Sequence, residues 1–130
     1  MSNRVNISSG AIWEDVVGYS RAVKVGNVIE VSGTVSSDEN GKVIGRGDAY
    51  QQTKYILQKI ETALEKAGAS MKDVVRTRMF VTDISRFNEY GKAHGEVFAN
   101  IKPCTAMYEV KGLVAPEYLI EIEATAILSQ

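Results

Sequence analysis

Tyr118-Leu-Ile-Glu-Ile-Glu-Ala-Thr-Ala-Ile-Leu128, close to the C-terminus, reads as a β-strand whose two faces decide the architecture. Side chains alternate along a strand, so Ile120, Ile122, Ala124, Ala126 and Leu128 form one apolar face, while Leu119, Glu121, Glu123, Thr125 and Ile127 line the other. The first face belongs against a core. The second carries two carboxylates among apolar neighbours and must meet something other than a simple hydrocarbon interior.

Working outward, a Gly/Pro loop separates this strand from a shorter one, Ala106-Met-Tyr-Glu-Val110. Near the N-terminus, Ser20 to Val25 and Val28 to Val35 flank Gly26-Asn27, a two-residue turn that makes them a hairpin. A second turn follows in Ser36-Ser-Asp-Glu-Asn-Gly41. Residues 49 to 67 place Tyr50, Thr53, Ile56, Leu57, Ile60, Ala63, Leu64 and Ala67 at helical spacing, with Asp48 as N-cap and Gly68 as stop. Ser70 to Asp73 reads as a capping-box turn into a strand over Val74 to Thr82, with Val75, Thr77, Met79 and Val81 opposed to Arg76, Arg78 and Phe80. A second helix, capped by Asp83 or Ser85 and ended before Pro103, carries Phe87, Tyr90, His94, Val97, Phe98 and Ile101 on its apolar stripe. The resulting order is β-β-α-β-α-β-β, an α+β domain with two helices on one face of a mixed sheet. The opposite face, with Glu30, Ser32, Arg78, Phe80, Glu121 and Glu123, then needs cover, and copies of the same chain supply it most simply.

Residues 1–130 form one domain, long enough to bury a core, and the 45% hydrophobic content is that of an ordinary soluble protein. Fifteen basic and sixteen acidic residues, interspersed, leave a net charge of −1 and no basic stripe, which argues against nucleic-acid binding. One cysteine excludes an internal disulfide, and one cysteine with one histidine makes no metal cluster, so neither metal nor cofactor is expected. No apolar leader or membrane-length run is present, giving an expected cytoplasmic address and no membrane partner.

The C-terminal strand pair, together with Gly18-Tyr-Ser and Val23-Lys-Val-Gly-Asn-Val-Ile-Glu-Val-Ser-Gly33, resembles the Rid family, the YjgF-type deaminases of reactive enamines and imines, over nearly the whole chain. The resemblance implies a chorismate-mutase-like fold of the bacillus type and a homotrimer with clefts between neighbouring subunits. It also implies a carboxylate-gripping arginine two residues after the proline that opens the penultimate strand. Here Pro103-Cys104-Thr105 puts a hydroxyl there instead. Threonine does not reproduce the planar, permanently charged fork of arginine, so the substrate class is expected to differ. Gly91 stands where many members carry an asparagine, removing a second polar contact.

Several residues are candidates for the site. By the resemblance, Glu123 positions a hydrolytic water; equally, Glu121 and Glu123 suit interface salt bridges. Tyr19 is placed to reach across the cleft or to pack at the start of a strand. Ser32-Gly33 matches a strand pair whose glycine admits a close approach to the backbone. Thr105 offers one neutral hydrogen bond, and Cys104 beside it reads as a small buried filler rather than a nucleophile. Arg21, on the face of Tyr19, and Arg78, on the face of Phe80, either return a positive charge to the cleft or pair with Glu30, Glu121 or Glu123. Trp13 is a lid or a loop anchor, and His94 a packed, hydrogen-bonded histidine.

The leading expectation is a hydrolase on a small enamine, imine or related metabolite, with Glu123 orienting water and Thr105 with the Gly33 backbone contacting substrate. The alternative is a non-catalytic, metabolite-binding or regulatory trimer. A ribonuclease or translation inhibitor ranks last, for want of a basic stripe and a stacking platform.

Overall fold

The computed structural model describes residues 3–129. In chain order the elements are β1 (Arg4–Ile7), α1 (Ile12–Val17), β2 (Ala22–Val25), β3 (Val28–Thr34), α2 (Ala49–Lys66), β4 (Val74–Val81), α3 (Phe87–Phe98), β5 (Cys104–Glu109) and β6 (Ile120–Ile127). One six-stranded sheet has the order β1-β2-β3-β6-β4-β5, antiparallel except for the parallel pair β4–β5. The seven elements expected from sequence are all present, and β1 and α1 are added at the N-terminus. Neither carries a long periodic pattern: β1 is four residues and α1 six.

The alternation on β6 holds: Ile120, Ile122, Ala124 and Ala126 are buried beneath the long helices with Ile29, Val31, Ile56, Leu57, Ile60 and Leu64. Asp48 caps α2, its carboxylate accepting from Gln51 N at 2.9 Å, and Gly68 closes the other end at φ +84°. A capping box between Ser70 and Asp73 sits in a 3-10 turn, Met71–Asp73. Asp83 caps a 3-10 turn over Ile84–Arg86 that precedes α3. Buried Gln52 ties two loops to α2, donating to Gly45 O and Glu117 O and accepting from Leu119 N.

On β4 the structure corrects one assignment. Val74 pairs with Ala126 but Arg76 with Thr125, so one extra residue is inserted, and Val75 is turned outward while Val74 is buried. From Thr77 onward the expected alternation returns. Phe87, at the start of α3, is likewise exposed rather than on its buried stripe.

The sheet face away from the helices is uncovered, and the registers order it into rows. At one end Val25, Val28 and Ile127 are cross-strand neighbours. Next come Val23, Glu30, Thr125 and Arg76, then Glu123 with Arg78 and Ala106, and finally Glu121 with Phe80 and Tyr108. Phe80 and Tyr108 stack with ring centroids 5.9 Å apart. No helix among the described residues is long and apolar enough to cross a membrane.

Candidate active site

The centre of the site is a bulge in β3. Val31 pairs with Ala124 and Thr34 with Ile122, so three steps along β3 match two along β6, and Ser32-Gly33 carries the irregularity. The Glu121 side chain fills the space that a residue-33 side chain would occupy: a Cβ there would lie 3.0 Å from Glu121 Cδ and closer still to Oε2. The close approach expected at this glycine is thus made by the chain's own carboxylate. Burial pushes the Glu121 carboxyl above the usual carboxylate range; Arg21 pulls it back, and Glu123 adds to the rise.

Arg21 lies beneath this corner. Its Nη2 donates to Gly33 O at 2.6 Å, its guanidinium lies 5.7 Å from the Tyr19 ring centroid, and its Nε is buried with no hydrogen-bond partner among the described residues. Burial draws its pKa down, while Tyr19, Glu14 and Glu121 draw it up. Arg21 is therefore an internal cation that holds the bulge and faces two carboxylates. On its far side Lys59 donates to Val35 O at 2.7 Å and to Ser37 Oγ at 3.3 Å; burial, then the charge of Arg21, lowers its pKa to about 8.

Beside the corner, α1 and the β1–β2–β3 edge frame an open depression of about 500 Å³ lined by Arg4, Asn6, Glu14, Tyr19, Ser20 and Ser32. The short helix α1 is turned inside out: Glu14 is buried, accepting from the Ser8 and Ser9 hydroxyls, while Ile12, Trp13, Val16 and Val17 face outward. Burial raises the Glu14 pKa, but the serine bonds and Arg21 outweigh it and leave it lowered. Ser32 donates to Ser20 O at 2.6 Å, closing the rim.

Of the residues expected at a site, Tyr19, Arg21, Ser32 and Gly33 come together here, with Trp13 on the adjoining helix and 59% exposed. Glu123 and Arg78 lie on the same open face as direct cross-strand neighbours, their charged atoms 3.9 Å apart and both side chains about two-fifths exposed. Thr105 is separated from them: it is in register with Thr77 and Ala124, on the helix side of the sheet. Cys104 points the opposite way from Thr105 and is exposed, not the buried filler expected, because β5 is an edge strand and its open-face residues have nothing above them. Sequence reasoning passed over Glu121 as a single candidate and missed Glu14 and Lys59. The signal for Glu121 was the glycine in mid-strand, which marks where another group presses on the backbone.

Residues 11–128 match the Endoribonuclease L-PSP family. A RutC family protein of Pyrococcus abyssi is 39% identical over 83% of this chain and 84% of its own length. The 3-aminoacrylate deaminase RutC of Acinetobacter baylyi is 37% identical, covering 83% and 85%. Among solved structures, a Mycobacterium tuberculosis member of the YjgF/YER057c/UK114 family is 47% identical with a TM-score of 0.88, covering 97% of this chain and all of that one. The family match spans both the bulged β3 and the Glu-bearing β6, so fold and family agree: the chain is an α+β, chorismate-mutase-like protein and belongs to the Endoribonuclease L-PSP, or YjgF/RutC/Rid, family.

Proposed function

We propose that the protein is a hydrolase acting on the C–N bond of a small enamine, imine or related metabolite, in clefts completed by neighbouring copies of the chain in a homotrimer. The observation that carries this reading is the Glu121 carboxylate, held against Gly33 with its proton affinity raised by burial. Such a carboxylate takes a proton from water more readily than an exposed one. Hydrolysis then runs as addition of that water to the imine carbon, return of the proton to nitrogen, and departure of ammonia as the carbonyl forms.

The environments on β6 favour Glu121 over Glu123 for this proton transfer. Glu123 stands beside Arg78, and the pair suits the wall of an anion site: Arg78 is the more accessible cation, whereas Arg21 is engaged with Gly33 O and feels the charges of Glu14 and Glu121. Tyr19, Ser32 and the Gly33 backbone form the rim, Thr105 offers a neutral hydroxyl, Cys104 lines the open face, and Trp13 serves as a cover. The open face supports assembly, since its apolar row, its charged rows and its aromatic pair are all uncovered in one subunit. Relatives include a deaminase of 3-aminoacrylate, an enamine, which supports the substrate class.

A non-catalytic binding trimer is the second reading, favoured by the Arg78–Glu123 pairing. The test is release of 2-oxoacid from imines generated in situ from serine or threonine, run beside light scattering. Accelerated release by a trimer that Glu121→Gln abolishes supports the hydrolase. A trimer that binds small carboxylates without turnover supports the alternative, and a monomer at micromolar concentration overturns both.

A further inference from the structure

The bulge that admits the Glu121 carboxylate lies where β3 runs past its neighbour. The ladder with β2 ends at the Ala22–Val31 pair, so no β2 residue stands in register beside Gly33 or Val35. Two cations from different elements take the carbonyls there. Arg21 Nη2 donates to Gly33 O at 2.6 Å, and Lys59 Nζ, from α2, donates to Val35 O at 2.7 Å. Each donor carries a full charge, which makes these bonds stronger than the neutral bonds of a ladder.

Toward Glu121 the two cations are not equivalent. The charge of Arg21 acts on that carboxyl, opposing the rise that burial and Glu123 impose, whereas Lys59 is coupled to Arg21. Among the described residues no hydrogen bond or salt bridge joins Arg21 to Glu121, so the guanidinium attracts the carboxylate without occupying its oxygens. A general base faces two demands in tension. Desolvation makes it hold a proton well, but a carboxyl that stays protonated at the working pH accepts none. A cation behind the group, off its oxygens, lowers the pH at which it ionises.

We propose that Arg21 is a positioning residue for the reaction at Glu121: bound to Gly33 O, it holds the bulge open to the carboxylate, and its charge keeps that carboxylate ionised for the activation of water. The proposal rests on the reading of Glu121 as the group that takes a proton from water, and it names the residue that makes this group available.

The other charges around Glu121 leave this role to Arg21. On its own strand Glu123 stands beside Arg78 of β4, and the β4 residue directly across from Glu121 is the uncharged Phe80. Glu30 on β3 is two rows away and accepts from Thr125 Oγ1. From α1, Glu14 is held by the Ser8 and Ser9 hydroxyls, and its charge acts on Arg21. The Tyr19 ring lies 5.7 Å from the guanidinium on the side of the depression.

The deciding experiment is a carboxyl titration of the full chain by 13C NMR, with glutamate labelled at Cδ and the Glu121 signal identified by its loss in Glu121→Gln. It is run beside the pH profile of kcat for imine hydrolysis. Arg21→Gln keeps an N–H for Gly33 O and deletes the charge, Arg21→Lys keeps the charge, and Lys59→Met loosens the same stretch of β3 while leaving Arg21 in place. Arg21→Gln should move the Glu121 midpoint and the acid limb of kcat to higher pH together, so that activity lost at lower pH returns as pH rises. Arg21→Lys should bring both back toward wild type, and Lys59→Met should leave the Glu121 midpoint where it was. A midpoint unmoved or lowered in Arg21→Gln overturns the proposal. So does an equal rise in Lys59→Met, or a kcat lowered by one factor at every pH, the mark of a purely structural role. Should Arg21→Gln fail to fold, Arg21→Met, which keeps the apolar stem, is read in the same way. The titration needs no turnover: a Glu121 signal that answers to Arg21 in a protein that hydrolyses no imine removes the hydrolase reading alone, while an active enzyme whose Glu121 signal ignores Arg21 removes only this inference.

Discussion

Glu121 and Glu123 stand two residues apart on one strand and point the same way, yet their surroundings give them different chemistry. Glu121 lies against a glycine in a bulge, half-buried, with Arg21 beneath it and its proton held more tightly than usual. Glu123 faces Arg78 across the sheet with both partners well solvated. The bulge makes the difference: it removes a side chain from β3 at the level of Glu121, and the carboxylate moves into the gap. In the proposed hydrolase, proton transfer is assigned to the desolvated group, while the exposed ion pair at Glu123, at 3.9 Å, contributes less than about 1 kcal/mol to stability.

The sharpest break of this contrast is a pair of amide substitutions. Glu121→Gln should lower imine hydrolysis by about 10²-fold or more, the range expected for loss of a general base, while Glu123→Gln should change it only a few-fold. Equal losses in steady-state kcat would erase the distinction. Glu121→Gln should also remove an unfavourable term from folding: with its folded pKa raised, the wild-type carboxyl gives up stability as pH climbs from the unfolded value, about 4.5, through the folded one, and the glutamine variant does not. Chemical denaturation at several pH values measures this.

Gly33→Ala attacks the same corner sterically. Its new Cβ would collide with the Glu121 carboxylate, and the expected cost is about 1–3 kcal/mol together with loss of activity. Wild-type urea midpoints would show that the carboxylate moves aside freely and that Gly33 is not there to admit it.

The two arginines should separate likewise. Arg21→Met leaves the carbonyl of Gly33 without its charged donor, so a loss of about 1.5–3 kcal/mol is expected, as for a hydrogen bond to a charged group. Arg78→Met should leave the thermal midpoint nearly unchanged and weaken binding of small carboxylates instead. If Arg78→Met leaves carboxylate binding intact and destabilises the assembly, Arg78 is a structural partner of Glu123 and the anion-site assignment fails.

The last effects are in pH dependence and involve Lys59 beside the corner and His94 away from it. Lys59 titrates at about 8 in the folded chain against 10.5 for the free side chain, so the unfolded state binds more protons between those values and stability should rise from pH 8 to 10.5. Lys59→Met should flatten that rise. On the acid side, His94 is held below 6.5, so stability should fall as pH drops from 6.5 through its folded pKa, a dependence that His94→Gln removes.

Much of this was legible in the chain alone. Period-two alternation on β6 identified the buried face residue by residue, because a strand offers each side chain only two directions. Helical spacing with Asp48 and Gly68 bounded α2 to within a residue, since caps are local chemistry. Tertiary structure decided what depends on one inserted residue or on a distant partner. Val75 faces outward because a bulge resets the alternation that sequence assumed constant. Cys104 is exposed because β5 has no neighbour beyond it. The carboxylate of Glu121 acquires its raised proton affinity from burial, in a space left open by Gly33, 88 positions earlier in the chain, and the hydroxyl of Thr105 finds its partner in Thr77 on another strand. Sequence sets which face a side chain is on; desolvation and hydrogen-bond direction are set by what the fold brings up against it.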